Sequence, residues 1–281
     1  VGPEFVVPRR LEKEYERAIR GVVAKAIPPK LPSETFEQWI ARLQAISDEE
    51  RIHEATQTLA QRMVQWVNIK NAKTWRQAAS RTTRGGLLHQ LLSTEMQGAV
   101  GSRVTTLVRE NAKLISSVPQ YAAQHLTYEV LKAQQAGARP ETIAKMMRKR
   151  FPELIRSRIN LISRTEVAKA SAALTHARCE ALSIQFYIWR TSMDVRVRDS
   201  HRKMNGVVIP WATPPSPERL AGEPSTLSHY HAGECPNCRC TQIVVLTLDD
   251  ITFPANVYWQ GRIQRMKRID FQHFAHLETA A

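Results

Sequence analysis

The chain has 281 residues and a mass of 32.0 kDa, and 40 Lys and Arg against 26 Asp and Glu give a formal charge of +14 and a pI near 10.0. A chain this long buries a sizeable core, and a composition of 43% hydrophobic and 23% charged residues excludes a disordered polymer. No apolar run approaches the roughly 20 residues of a bilayer span, which excludes a transmembrane helix.

Helices dominate the first 180 residues. Leu11, Tyr15, Ala18, Ile19, Val22 and Val23 share one face at helical spacing. Pro28, Pro29 and Pro32 end that helix, because proline removes a donor and fixes φ. Ser33 is the expected cap of the next one, followed by Phe36, Trp39, Ile40 and Leu43. Ser47-Asp48-Glu49-Glu50 opens another, with Ile52, Ala55, Leu59, Met63 and Trp66 as its apolar face. A helical pattern resumes from Val104 to Val118 and is interrupted at Pro119. Gln120 to Gln135 is again helical, closed by Gly137 and restarted by Pro140. A short helix carrying Ile143, Met146 and Met147 is expected to end near Phe151-Pro152, before a long Ala-rich helix from Leu154 to Leu182.

The pattern changes at Ser183. Ile184 to Thr191, Gly206 to Trp211 and Thr241 to Leu248 read as three strands rich in β-formers. A Pro- and Gly-rich loop of about 25 residues separates the last two, and a loop that long is commonly functional or tied down. From Asp249 the expectation is a partly helical arm. The predicted fold is thus a mainly α N-terminal region with a small α+β C-terminal unit built on a short antiparallel sheet.

The positive charge is concentrated in two places. Nine Lys and Arg against three Glu lie between Arg139 and Lys169, and Arg262, Arg265, Lys267 and Arg268 cluster near the end. Interleaved aromatics are missing, so any nucleic-acid contact would be to phosphates, salt-sensitive and nonspecific. Arg148, Lys149, Arg150, Arg156, Arg158, Arg262, Arg265, Lys267 and Arg268 are the candidate contacts.

The sharpest chemical feature is Cys235-Pro236-Asn237-Cys238-Arg239-Cys240. No secretory signal layout precedes it, and in a reducing compartment such crowding favours metal over disulfides. A Cys-x-x-Cys turn offers Zn²⁺ two thiolates and Cys240 a third, with His201, His229 and His231 as candidates for the fourth ligand. Four protein ligands make a structural site. The competing reading is a hydrolytic metal centre on phosphodiesters using Asp194, Asp199, His201, His229 and His231. Against it, the sequence lacks H-E-x-x-H, a Gly-rich phosphate loop and a G-x-S-x-G elbow. No residue is assigned a catalytic role.

From about Asn111 to Val245 the motifs fall in a specific order: Asn111-Ala112-Lys113-Leu114-Ile115, Leu161-Ile162-Ser163-Arg164-Thr165-Glu166, Trp189-Arg190-Thr191-Ser192, then Asp194, Arg196, Arg198 and His201, then Asn205-Gly206 and Asn237-Cys238-Arg239-Cys240. This series resembles the phage Mu F-like minor head proteins, a family of head morphogenesis proteins. Relatives often carry Cys-x-x-Cys where this chain ends in His201, and a His where Cys235 stands. The resemblance therefore implies His201, Cys235, Cys238 and Cys240 as a structural zinc set, with His229 and His231 in reserve. It further implies a non-enzymatic virion component in the capsid interior, made in the bacterial host cytoplasm. The implied partners are the portal protein, capsid or scaffold proteins and, nonspecifically, double-stranded DNA, with no membrane. The expected domains are a helical docking module over 1–110, the head morphogenesis domain over 111–248 and a basic arm over 249–281.

Overall fold

The structure, a computed structural model, describes residues 2–46, 50–80 and 85–278. Packing divides the chain into two compact units that interleave along the sequence. One comprises Pro8–Trp66 and Val104–Val167; the other comprises Val1–Val7, Val67–Arg103 and Ala168–Ala281.

The first unit is helical. Helix α1 (Arg9–Ala26) buries Leu11, Tyr15, Ile19 and Val23, the face expected from its spacing. In α2 (Phe36–Ile46) the cap is Thr35 rather than Ser33. Thr35 Oγ1 accepts from Gln38 N–H while Gln38 Oε1 accepts from Thr35 N–H, a reciprocal box that Ser33 has no partner to make. The predicted helix opening at Ser47–Glu49 lies outside the described residues. Helix α3 (Glu50–Ala79) follows, and its buried face runs through Ile52, Thr56, Ala60, Met63, Val64 and Val67. Ala55 and Trp66, assigned to that face from sequence, are exposed, because the buried stripe follows the i+4 row Ile52, Thr56, Ala60 and Val64, which includes a polar Thr that hydropathy does not mark.

Helix α4 (Gly85–Thr94) and a 3₁₀ turn at Glu95–Gln97 lead into α5 (Ala99–Ser116) and α6 (Val118–Gln135), where Pro119 sits in the first turn. Gly137 then adopts φ 74°, with Ala138 N–H on Ala133 O and Gly137 N–H on Gln134 O, a Schellman stop before Pro140. The next two predicted helices are one, α7 (Pro140–Ala181), with Pro152 inside it. Proline removes one hydrogen bond, and the buried residues on both sides of it (Ile143, Met147, Ile159, Ile162) hold the helix continuous.

The same stop recurs where α7 ends, but on a non-glycine residue. Ser183 has φ 52°, with Ile184 N–H on Cys179 O and Ser183 N–H on Glu180 O. A side chain in this region costs on the order of 1 kcal/mol. Ser183→Gly is expected to raise stability by up to about 1 kcal/mol, read as a higher urea midpoint at unchanged m-value.

The second unit is built on a five-stranded sheet in the order β3-β1-β2-β4-β5. Its strands are β1 (Phe186–Arg190), β2 (Val208–Pro210), β3 (Thr241–Val244), β4 (Ala255–Trp259) and β5 (Arg262–Met266). Neighbours are antiparallel except for the parallel β2–β4 pair. The segment after Asp249 is partly helical as expected but is integrated in the sheet rather than forming an arm: it supplies two strands and then α10 (Arg268–Glu278). Alternation divides the sheet residues between two cores. Phe186, Val208 and Val257 pack with Phe271 and Phe274 of α10. Tyr187, Trp189 and Ile209 point to the other side, into the cluster that holds Cys235, Cys238 and Cys240. The outer edge of β3 is covered by the N-terminal segment, where Val244 N–H donates to Pro3 O and Glu4 bridges Ile243.

Candidate metal centre

The site grows from the two connections around β2. After β1 the chain turns through Thr191–Arg198 into α8 (Asp199–Met204), a short helix whose inner face carries Ser200, His201 and Met204, all buried. Asn205 Oδ1 accepts from both Thr191 N–H and Thr191 Oγ1, which ties the start of this excursion to its end. Gly206, at φ 80°, then returns the chain, with its N–H on Trp189 O. The Asn-Gly pair is a structural clasp that fixes where His201 points.

The long second connection contains α9 (Pro217–Ala221) and ends in the cysteine turn. Cys238 N–H donates to Cys235 O, Asn237 adopts φ 59°, and Cys240 N–H points at Cys238 Sγ at 3.4 Å. Arg239 faces away and pairs with Asp194 at 2.9 Å, joining the two connections by their outer residues.

Inside, His201 Nδ1 lies 3.4 Å from Cys240 Sγ and 3.6 Å from Cys238 Sγ. Ligand atoms from these three residues fall within 4.8 Å of one another, the spacing a bound metal requires. In a tetrahedron with Zn–S of about 2.3 Å and Zn–N of about 2.0–2.1 Å, the N···S edge is about 3.5 Å. The donor set and its spacing fit a metal. Cys235 Sγ, the fourth expected ligand, falls outside that group of three: it lies 3.8 Å from Nε2, contacts Cys238 and receives Arg198 Nη1 at 2.7 Å.

Burial works against charge at His201, but Cys235 and Cys238 outweigh it and push the imidazole up to about 9. Cys238 and burial hold the Cys235 thiol up, whereas contact with Cys238 brings Cys240 down. Burial, reinforced by Glu218, keeps the Tyr230 hydroxyl far above its usual range and hence protonated.

Neither reserve histidine joins the cluster. His229 is exposed. His231 is buried among Tyr187, Trp211 and His176, with Nδ1 3.3 Å from the Tyr187 hydroxyl and a further bond to the Trp211 backbone. Burial depresses it to about 3. Neutral His231 therefore contributes stability that is complete above its unfolded pKa near 6.5 and is lost as pH falls toward about 3. His231→Gln should flatten the loss of stability between pH 6 and 4 relative to the native chain, measured by thermal melts across that range.

The residues considered for a hydrolytic centre also stay apart. Asp194 is engaged by Arg239 and by Arg196 N–H, Asp199 is exposed beside Arg202, and His201 faces thiols. The nine basic candidates divide similarly. Arg150 is paired with Glu129 and Glu153, Arg158 lies over the Tyr121 ring, and Arg268 pairs with Asp249. Arg148, Lys149 and Arg156 on α7, and Arg262, Arg265 and Lys267 around β5, are exposed. Sequence reasoning did not single out Tyr230 or Glu218. Their signal was slight: in His229-Tyr230-His231 the middle residue, not either histidine, reaches the site.

Comparison with known proteins gives a family match over part of the chain. Residues 124–243 match the family model described as Phage Mu protein F like protein, a span that includes His201 and all three clustered cysteines. An uncharacterised protein of Haemophilus influenzae (strain ATCC 51907 / DSM 11121 / KW20 / Rd) is 31% identical over 147 residues, covering 52% of this chain. The chain spans only 30% of that relative's length. No solved structure matches.

Proposed function

Residues 124–243 belong to the Phage Mu protein F-like family of phage head proteins, and from that premise we propose that the chain is a minor structural protein of the capsid interior. In this reading it associates with the portal during head assembly and genome packaging or delivery. The family match carries the proposal. In support, the hydrolytic residues do not converge, and no described helix is long and apolar enough to cross a membrane.

Zinc is the metal we assign to the site, held by His201, Cys238 and Cys240 with Cys235 as the fourth ligand. Bound zinc would act as a cross-link between the α8 connection and the cysteine turn. Three thiolates and a neutral imidazole around Zn²⁺ carry one net negative charge, which the Arg198 guanidinium beside Cys235 offsets. Of the nine basic candidates, Arg148, Lys149, Arg156, Arg262, Arg265 and Lys267 are the ones proposed to meet packaged DNA, and residues 1–110, which packing shares between both units, are proposed to carry the docking surface.

Two measurements test the reading. Pull-down with the portal protein of the same phage should retain the full chain, and loss of that interaction at every salt concentration would remove portal association. Binding to nonspecific duplex should weaken with salt at a log–log slope of about −0.9 per phosphate contacted. Replacing Arg148, Lys149 and Arg156 by Ala should reduce that slope by about 0.9 for each lost contact. No binding at low salt would confine the positive charge to other roles.

A further inference from the structure

The proton inventory around His201 decides which of its nitrogens faces the metal. Tyr230 has one hydroxyl proton, and its oxygen lies 2.7 and 2.8 Å from the two carboxylate oxygens of Glu218. The hydroxyl donates there. The remaining contact of the same oxygen, 2.9 Å to His201 Nε2, must then run from the ring N–H to the phenol. Nε2 therefore keeps its proton, and Nδ1, the atom 3.4 and 3.6 Å from Cys240 and Cys238, is the nitrogen that would give up its proton to a metal.

All three members of this chain are buried: His201 is 2% exposed, Glu218 5% and Tyr230 8%. Water therefore has little access with which to substitute for any link. The ring also packs at 84° against the Trp189 ring, with centroids 5.5 Å apart. The other groups facing Nε2 are Cys235 Sγ at 3.8 Å and Glu218 Oε1 at 3.7 Å, both longer contacts than the phenol.

We propose that Tyr230 and Glu218 are positioning residues for the metal, a relay that fixes His201 in its Nε2–H form and commits Nδ1 to ligation. This rests on the reading of the cluster as a zinc site and adds to it the ligating atom and the residues that set it. Glu218 comes from α9 and Tyr230 from the loop beyond, so the relay also ties the middle of the long connection to the metal. Partners that orient a ligating histidine typically contribute 10- to 100-fold in metal affinity.

The test uses the full chain with ¹⁵N-labelled histidine and Zn²⁺ as probe. In the loaded native chain, long-range ¹H–¹⁵N correlations of His201, identified by their loss in His201→Gln, should show Nε2 protonated and Nδ1 metal-bound. Chelator competition should give Tyr230→Phe a Zn²⁺ affinity 10- to 100-fold weaker. Glu218→Gln, which still accepts from Tyr230, should fall between Tyr230→Phe and the native chain. Circular dichroism of both loaded variants checks that they are folded. Tight Zn²⁺ binding with Nε2 as the ligand, or with affinity unchanged in folded Tyr230→Phe, overturns the relay and leaves the zinc site standing. Failure of the native chain to bind Zn²⁺ overturns the zinc site and the relay with it.

Discussion

Chelation of the metal is expected to lower the melting temperature of the C-terminal unit by at least about 10 °C and to open the segment between β2 and β3 to protease. Structural zinc sites contribute on the order of 10 kcal/mol in small domains that lack any other core. Here the loss should be smaller, because the sheet keeps an independent core of Phe186, Val208, Val257, Phe271 and Phe274 on its far side. A loss of about 5 kcal/mol corresponds to roughly 10–20 °C for a unit of this size. The segment 211–240 contains one five-residue helix and is also held by Trp211 and Ala232 in the core and by Ala232 N–H on the Tyr187 hydroxyl, so the metal adds the link between the cysteine turn and α8 rather than the whole anchorage. Thiol titration gives a second readout: chelation should expose Cys235, Cys238 and Cys240 while Cys179, buried in α7, stays unreactive. His201→Ala should reproduce the chelated state, and Cys179→Ser should bind metal like the native chain. An unchanged melt with no thiols gained on chelation would show that the site holds no metal.

How far the sequence led depended on whether local signals agreed with tertiary ones. The Gly137 stop and Pro140 start were legible because both are backbone requirements that hardly depend on neighbours. The convergence of His201 with Cys238 and Cys240 was legible because metal chemistry restricts residue type and spacing so strongly, whereas Cys235 falls outside that group. Pro152 misled for the opposite reason: its local preference is to break a helix, and burial on both sides overrode it. The β4–β5 hairpin was missed although its signal was present. Gln260 and Gly261 form a two-residue turn with φ of 47° and 77°, flanked by Val257, Tyr258, Trp259 and Ile263. The density of Arg and Lys there suggested a solvated arm, yet strands at a sheet edge commonly carry such charges. Tyr230 and Glu218 lay beyond sequence reasoning, since they stand twelve positions apart, across the end of α9 and an irregular loop, and meet only through the fold. The same holds for the basic clusters. Composition counted Arg150, Arg158 and Arg268 as available, and only packing reveals their partners.

Glu95→Ala should cost about 3–5 kcal/mol, because it strands a buried guanidinium. Arg178 is 3% exposed and sends its fork to Glu95 at 2.7 and 2.6 Å. Its remaining donors go to Asn71 at 2.5 Å and Asn68 at 2.6 Å, and Asn71 in turn donates to Thr175 and Ser171 O. The pair itself lines a cavity of about 140 Å³ whose other walls are mostly apolar (Trp75, Leu92, Val100 and Leu182), with Thr94 the only other polar side chain in the lining to take over from the carboxylate. Removing Glu95 leaves the charge without its counter-ion; removing Arg178 leaves two amide oxygens and a carboxylate without donors. Each single substitution should therefore be worse than the pair. The double variant Glu95→Leu with Arg178→Met is expected to lose far less than the sum of the two singles, with a coupling energy of about 1–3 kcal/mol in a double-mutant cycle from urea unfolding. Arg178→Lys should fail to rescue, since a single ammonium cannot reproduce the planar fork that reaches Glu95, Asn71 and Asn68 together. A Glu95→Ala change below about 1 kcal/mol would show that water reaches Arg178 through the cavity and that the pair is not a determinant of this unit's stability.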